Sequence, residues 1–318
     1  DIDGFFLIVA PDGTLVGTRV VGGSGETSLD NLAIDSAGMV YAAGTFSESI
    51  DLGGEILVSN GDQDILLAQF TADGTPMWGA SAGGPDFDIG VNVDTDAAGN
   101  PWITGFYTDE ATFDSTTVFS QGTNDAFLAR YDTNGALQWV VDGGGVDWDA
   151  GFGISVDANG HSVMAGYFTY DATFSGVQIH SAGWEDIFVA AYDPAGTLKW
   201  IQRAGSATAY ERAHEVTMDA AGHAYVTGYI MNESDFGTHI LNSAGWEDVF
   251  IAQYDPDGNV LAVKGGGGPD WDAGHDIYIA ADGTIYIAGL FRQFAQFDNE
   301  VIFSAGMMDI LVWGTTLP

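Results

Sequence analysis

"SAGWEDIFVAAYDPAGTLKW" fills residues 181–200, and a near copy, "SAGWEDVFIAQYDPDGNV", follows at 243–260. Each carries an aspartate-led apolar run that reads as a buried strand, then a glycine-containing turn, then the start of another strand. The aspartate-led run recurs at Asp3, Asp64, Asp125, Asp186, Asp248 and Asp309, at intervals of 61, 61, 61, 62 and 61 residues. A fixed period of this length marks a repeat architecture.

One period holds four strands. In the third copy "GFGISVD" is the first and "HSVMAGYF" the second. A long connection, "TYDATFSGVQIHSAGWE", leads to the third, "DIFVAAYD", and a "PAG" turn to the fourth, "TLKWIQRAG". The short turns place glycine where a hairpin needs positive φ. No segment sustains a 3.6-residue apolar period, so helices are expected to be scarce. Four antiparallel strands repeated around an axis describe an all-β propeller. The first-and-second pair occurs near 29–46, 90–107, 151–168, 213–230 and 274–291, which predicts five four-stranded blades in one domain over 1–318. A parallel solenoid is the competing architecture, but its coils are nearer ~20–30 residues. The N-terminus supplies a third and a fourth strand (Phe5–Val9 and Leu15–Val21), whereas the C-terminus ends on a third. The last blade is therefore expected to close the ring by borrowing an N-terminal strand. One third strand is surplus, and its open edge is a template for self-association.

Composition narrows the partners. The 318 residues include 45 acidic and 7 basic side chains, a formal net charge of −38. Nucleic acid is a poor partner, because phosphate neutralisation needs lysine and arginine. Docking on an anionic bilayer is disfavoured for the same reason. No apolar run reaches the ~18 residues of a membrane helix, so direct insertion is not expected. With no cysteine there is no disulfide, thiol catalysis or thiolate metal site. The acidity suits a salty or calcium-containing exterior. The chain opens at Asp1 without a signal peptide and reads as a mature product or an excised domain.

The pattern running from "GVDWDAG" through "VDANG", "AGYF" and "DIFVAAYD" to "GTLKW" resembles the bacterial β-propeller repeats called SBBP repeats. The likeness spans nearly the whole chain. It implies a propeller in an exported or surface-attached bacterial protein, with no shared catalytic motif. The family's name refers to seven blades, against five inner strand pairs here.

In such a blade the fourth-to-first and second-to-third connections emerge together, and sites are expected on that long-loop face. Paired aspartates enter three blades there: Asp86 with Asp88, Asp147 with Asp149, and Asp270 with Asp272. They either offer hard oxygen ligands to calcium or cap strand-entry amides. Aromatic rings share the column (Phe87, Trp148, Tyr210, Trp271), and Trp184 and Trp246 precede two third strands beside Glu185 and Glu247. Ring plus carboxylate is a sugar-binding chemistry; otherwise the rings plug the gaps between blades. His214 and His275 share a further column with Asp30, Val91 and Phe152, as packing residues or as ligands of a transition metal.

No nucleophile motif stands out, and carboxylate-dependent attack on a polysaccharide is the only enzymatic reading left open. The expected function is a non-catalytic extracellular or cell-surface propeller for adhesion or scaffolding, calcium-stabilised, with a protein or glycan ligand. The alternative is a lectin-like module.

Overall fold

A computed structural model describes residues 2–317, which form antiparallel strands and no helix. Packing divides the chain into two compact units. One runs to Gly144 and takes in Ala158–Gly160; the other comprises Gly145–Asp157 and the chain from His161 onward.

The first unit begins with a two-stranded hairpin, Gly4–Val9 against Leu15–Val21. A four-stranded meander follows: Thr27–Ile34, Val40–Phe46, Asp64–Phe70 and Pro76–Gly83. The second meander is Ile89–Thr95, Pro101–Phe113, Thr116–Tyr131 and Leu137–Gly145. In the second unit Ala150–Val156, Ser162–Phe174, Val177–Tyr192 and Leu198–Ala204 make one sheet. Arg212–Met218, Ala224–Ile230, Asp248–Tyr254 and Val260–Gly266 make the next. The last has three strands, Ala273–Ile279, Ile285–Phe291 and Asp309–Thr315. The four-strand period read from the sequence is thus the repeating sheet.

Turn chemistry explains the period. Within the turns Asp35, Asp96, Asp193, Asp219 and Asp255 each accept two main-chain N–H groups through one carboxylate oxygen. The glycine that follows sits at φ near +80°, as at Gly99 and Gly196 (both φ 80), where a side chain would be strained. Outer-strand tryptophans then seat on the neighbouring sheet. Trp78 Nε1 donates to the Thr133 carbonyl at 3.1 Å, and Trp200 Nε1 to that of Pro256 at 3.0 Å.

The long second-to-third connection is itself a hairpin. It is continuous with the sheet strands at Phe113–Thr116 and Phe174–Val177, and separate at Ser49–Val58, Glu233–Asn242 and Phe294–Phe303. The chain turns into it at a non-glycine residue with positive φ: Glu48 (53), Asp109 (56), Tyr170 (51), Asn232 (58) and Gln293 (55). Four of these hairpins reach the end of a fourth strand in their own unit. Thr112 and Phe113 pair with Gly83 and Ala82, and single bridges join Gly23 to Ile50, Gly205 to Asp235 and Gly267 to Gln296. At this seam main chain meets main chain. A Cβ on Gly84 would run into the Glu110 carbonyl oxygen, and one on Gly268 into that of Phe294.

The sheet closed by an N-terminal strand is not among the described pairings. Asp309–Thr315 pairs with Ile285–Phe291 alone, while Gly4–Val9 and Leu15–Val21 satisfy each other. A short turn makes that local pairing cheap in loop entropy. The hairpin is also held on the first sheet, where Phe6 meets Phe70 edge to face and Arg19 Nε donates to the Gly74 carbonyl at 3.0 Å.

Gly268→Ala is expected to destabilise the protein by about 1–3 kcal/mol through forced backbone separation. Gly306→Ala, where an added Cβ meets nothing within 4 Å, is expected to be near neutral. Urea unfolding of both variants checks this.

Candidate functional site

The paired aspartates divide their work. Asp88, Asp149 and Asp272 are fully buried. Asp88 takes the Gly84 N–H on Oδ2 at 2.7 Å and the Thr108 N–H on Oδ1 at 3.0 Å. Asp149 takes those of Gly145 (2.6 Å) and Thr169 (2.9 Å). Asp272 takes those of Gly268 (2.6 Å) and Arg292 (3.0 Å). Each carboxylate therefore pins a loop leaving a fourth strand to the end of a second strand. In one of the two repeats that lack the motif, Glu211 substitutes: its Oε2 accepts the Ser206 N–H at 3.2 Å. The repeat alignment puts Glu211 in the column of Asp88, Asp149 and Asp272 without marking it as a cap; its extra methylene reaches the equivalent amide across a loop one residue longer.

Their partners Asp86, Asp147 and Asp270 are only partly buried. Asp270 accepts from Gln293 Nε2 at 2.8 Å and lies 3.5 Å from the Arg292 guanidinium. The two members of each pair face different surroundings. Among the described residues no three His, Asp or Glu side chains converge as a metal's ligand set would. The geometry is that of amide caps.

The aromatic column stands open. Trp148, Trp184, Trp246 and Trp271 are 51%, 52%, 60% and 46% exposed, too much for plugs between sheets. Within the second unit Trp184 stacks on Tyr210 (centroids 6.3 Å, planes 16° apart) and tilts toward Tyr170 at 6.3 Å. Trp271 carries the Arg292 guanidinium 5.2 Å from its ring centre. The rings rise from backbone fixed by the clamps: Thr169 Oγ1 donates to the Trp148 carbonyl at 2.6 Å, beside the amide that Asp149 holds.

Glu185 is not free to receive a hydroxyl. It is nearly buried and takes a forked bond from Arg212, Nε to Oε2 at 2.5 Å and an Nη to Oε1 at 2.9 Å. The same guanidinium lies 4.1 Å from the Tyr167 ring centre. Arg212 is a site residue that sequence reading missed, having no counterpart in the other repeats. Glu247 differs: burial raises its pKa, opposed by the Arg212 charge.

His214 and His275 stack face to face at 4.8 Å, planes 8° apart, and His214 continues to Tyr229 (5.4 Å) and Phe152 (5.9 Å). Phe152, His214 and His275 each sit at the bulge of a first strand, between Gly151 and Gly153, Ala213 and Glu215, and Gly274 and Asp276. A bulge re-aims the side chain, so strand parity cannot place this column. His214 Nδ1 donates to the Gly274 carbonyl at 2.9 Å. Burial, with His275 and Arg212 adding repulsion, pushes His214 down to about 4, so it is neutral at physiological pH. His214, Tyr229, Glu247, Trp271, His275 and Met308 surround a cavity of about 130 Å³.

No family model matches the chain. Among curated proteins it is 25% identical over 271 residues to an uncharacterized WD repeat-containing protein, L264, of Acanthamoeba polyphaga mimivirus, covering 70% of this chain and 19% of that one. It is also 25% identical over 167 residues to the regulatory protein FlaEY of Caulobacter vibrioides, covering 50% and 17%. The chain thus spans less than a fifth of each relative's length. A crystal structure of a protein of unknown function from Bacteroides caccae aligns with a TM-score of 0.46 at 10% identity, over 88% of this chain and 77% of that one. The repeated antiparallel sheets and the WD-repeat relative together describe a β-propeller-like fold.

Asp149→Ala strips the acceptor from two main-chain amides and is expected to cost about 2–4 kcal/mol. Chemical denaturation should give the same loss in chelator and in added calcium, which separates an amide clamp from a cation cage.

Proposed function

We propose that the chain is an interaction module, a β-propeller-like scaffold that takes a protein partner on the aromatic face of its second unit. The observation that carries this reading is the set of half-exposed rings (Trp148, Tyr170, Trp184, Tyr210, Trp246 and Trp271), with Trp148 and Trp271 beside the clamped amides. Large rings with few rotatable bonds are the favoured anchors of protein interfaces. The cavity beside Trp271 is sized for one side chain of the partner. A net charge of −38 and the half-buried Glu247 favour a segment bearing lysine or arginine.

Five blades, counted by the first-and-second strand pairs, form the scaffold in this reading. A bacterial cell-surface setting, with SBBP-type repeats, accords with the acidity and the repeat pattern. A lectin role is the weaker reading, since the Glu185 carboxylate beside Trp184 is committed to Arg212.

Selection from a phage-displayed peptide library is expected to return basic, aromatic-containing sequences. Their affinity for Trp184→Ala and Trp246→Ala should drop by roughly 2 kcal/mol each, with thermal stability unchanged. Titration of tryptophan fluorescence measures both. Binding of neutral oligosaccharides instead, or affinity indifferent to the two substitutions, would sink the reading.

A further inference from the structure

The buried clamp aspartates have a second set of acids behind them. Asp64, Asp125, Asp186 and Asp248, the residues that open the third strands, are buried and each accept an N–H four residues earlier on Oδ2. In every one of the four the other oxygen, Oδ1, is buried with no hydrogen-bond partner. Leaving such an oxygen unpaired is costly, and more so when it carries charge.

Two of these orphan oxygens, on Asp64 and Asp248, lie beside the clamps. The position a Cβ would take on Gly83 lies 2.9 Å from Asp64 Oδ1 and 2.8 Å from Asp88 Oδ2. On Gly267 it lies 2.5 Å from Asp248 Oδ1 and 3.0 Å from Asp272 Oδ2. Glycine thus leaves two carboxyl groups facing across a gap. The equivalent pair Asp186 and Glu211 differs in one respect: Arg203 enters and donates to Asp186 Oδ2 at 2.6 Å. Ser81 and Gly265 stand at the Arg203 position in the other two sheets, opposite Leu66 and Phe250 as Arg203 is opposite Phe188.

Among the described residues no ion pair involves either of those two pairs. Around Asp64 and Asp88 stand Asn60, the Thr45 hydroxyl, the half-buried Asp86 and the Glu110 main chain. Around Asp248 and Asp272 stand Asp270 and Glu247, with Asp298 across a cavity of about 300 Å³. Arg292 is engaged by Asp270, and Lys264 by Asp298.

We propose that the pairs Asp64–Asp88 and Asp248–Asp272 are proton-binding sites, each holding one shared proton that the orphan oxygen donates or receives across the seam. A proton costs no space in the gap and converts a repulsion into a hydrogen bond. Two ionised carboxylates that border one buried gap cannot coexist without penalty. Burial accordingly pushes Asp64, Asp248 and Asp272 up to about 6 and Asp88 to about 7. A carboxyl whose folded pKa is raised binds its proton more tightly when folded. Its full stability is present below the unfolded value of about 4 and is lost as pH rises through the folded values. The seams therefore tighten on acidification from slightly alkaline to mildly acidic conditions.

The test is thermal melting of the full chain from about pH 5 to about pH 8, in chelator and with added calcium. Asp64→Asn with Asp248→Asn supplies a fixed donor where the shared proton would sit. This double variant should melt at least about 2 °C above wild type at the alkaline end and depend less on pH. Asp257→Asn with Glu300→Gln removes the same charge from exposed positions and should keep the wild-type slope. A wild-type slope in the buried double variant, or a lower melting point throughout, overturns the proposal. So does a calcium-dependent rise in wild type that the buried variant lacks, since the gap would then hold a cation. Should the double variant not fold, infrared spectra of Asp64→Asn and Asp248→Asn singly decide. Loss of part of the wild-type protonated-carboxyl C=O band at neutral pH supports the shared proton, and an unchanged or absent band overturns it, with Asp125 and Glu211 among the raised acids that both variants keep.

Discussion

A carboxylate that gives one oxygen to each of two main-chain amides holds this structure together. Asp88, Asp149 and Asp272 each join the loop after a fourth strand to the far end of a second strand. Loops that long would otherwise carry unpaired N–H groups into a buried place. With the amides pinned, the following hairpin can lie against the preceding sheet, and glycines at Gly84 and Gly268 let the backbones touch. The aromatic ledge exists because this foundation is rigid.

The same interaction changes what the acidity means. A charge of −38 invites an explanation by environment or by partner. Yet aspartates such as Asp35, Asp96, Asp193, Asp219 and Asp255 cap turns, and others clamp seams. Much of the negative charge is a by-product of building many tight turns from one residue type. The charge left over for the proposed partner is the smaller part, around Glu247 and the half-exposed Asp86, Asp147 and Asp270.

Periodicity made the sheets readable, because strand alternation and turn glycine are local and repeat five times over. The capping alternative for the paired aspartates was also legible, since Asp-x-Asp before a strand has few uses. Three features resisted. The second-to-third hairpins begin at residues such as Tyr170 and Gln293, in a backbone region that glycine normally advertises. The histidine column sits on bulges, which shift strand parity without any compositional mark. The forked Arg212–Glu185 bond joins residues 27 apart through a contact that one repeat alone possesses. Each depends on tertiary geometry acting on an ordinary residue.

The seams are written in carbonyls, amides and missing side chains, with little dependence on what the exposed connections carry. Trp148 and Phe87 stand at equivalent places above identical clamps, and Tyr210 above a substituted one. Diversity at the rim is thereby uncoupled from the joinery beneath, as in a rack whose modules share one fitting. Such a rack allows whole exposed loops to be exchanged, duplicated or recombined between positions while the folding code stays constant.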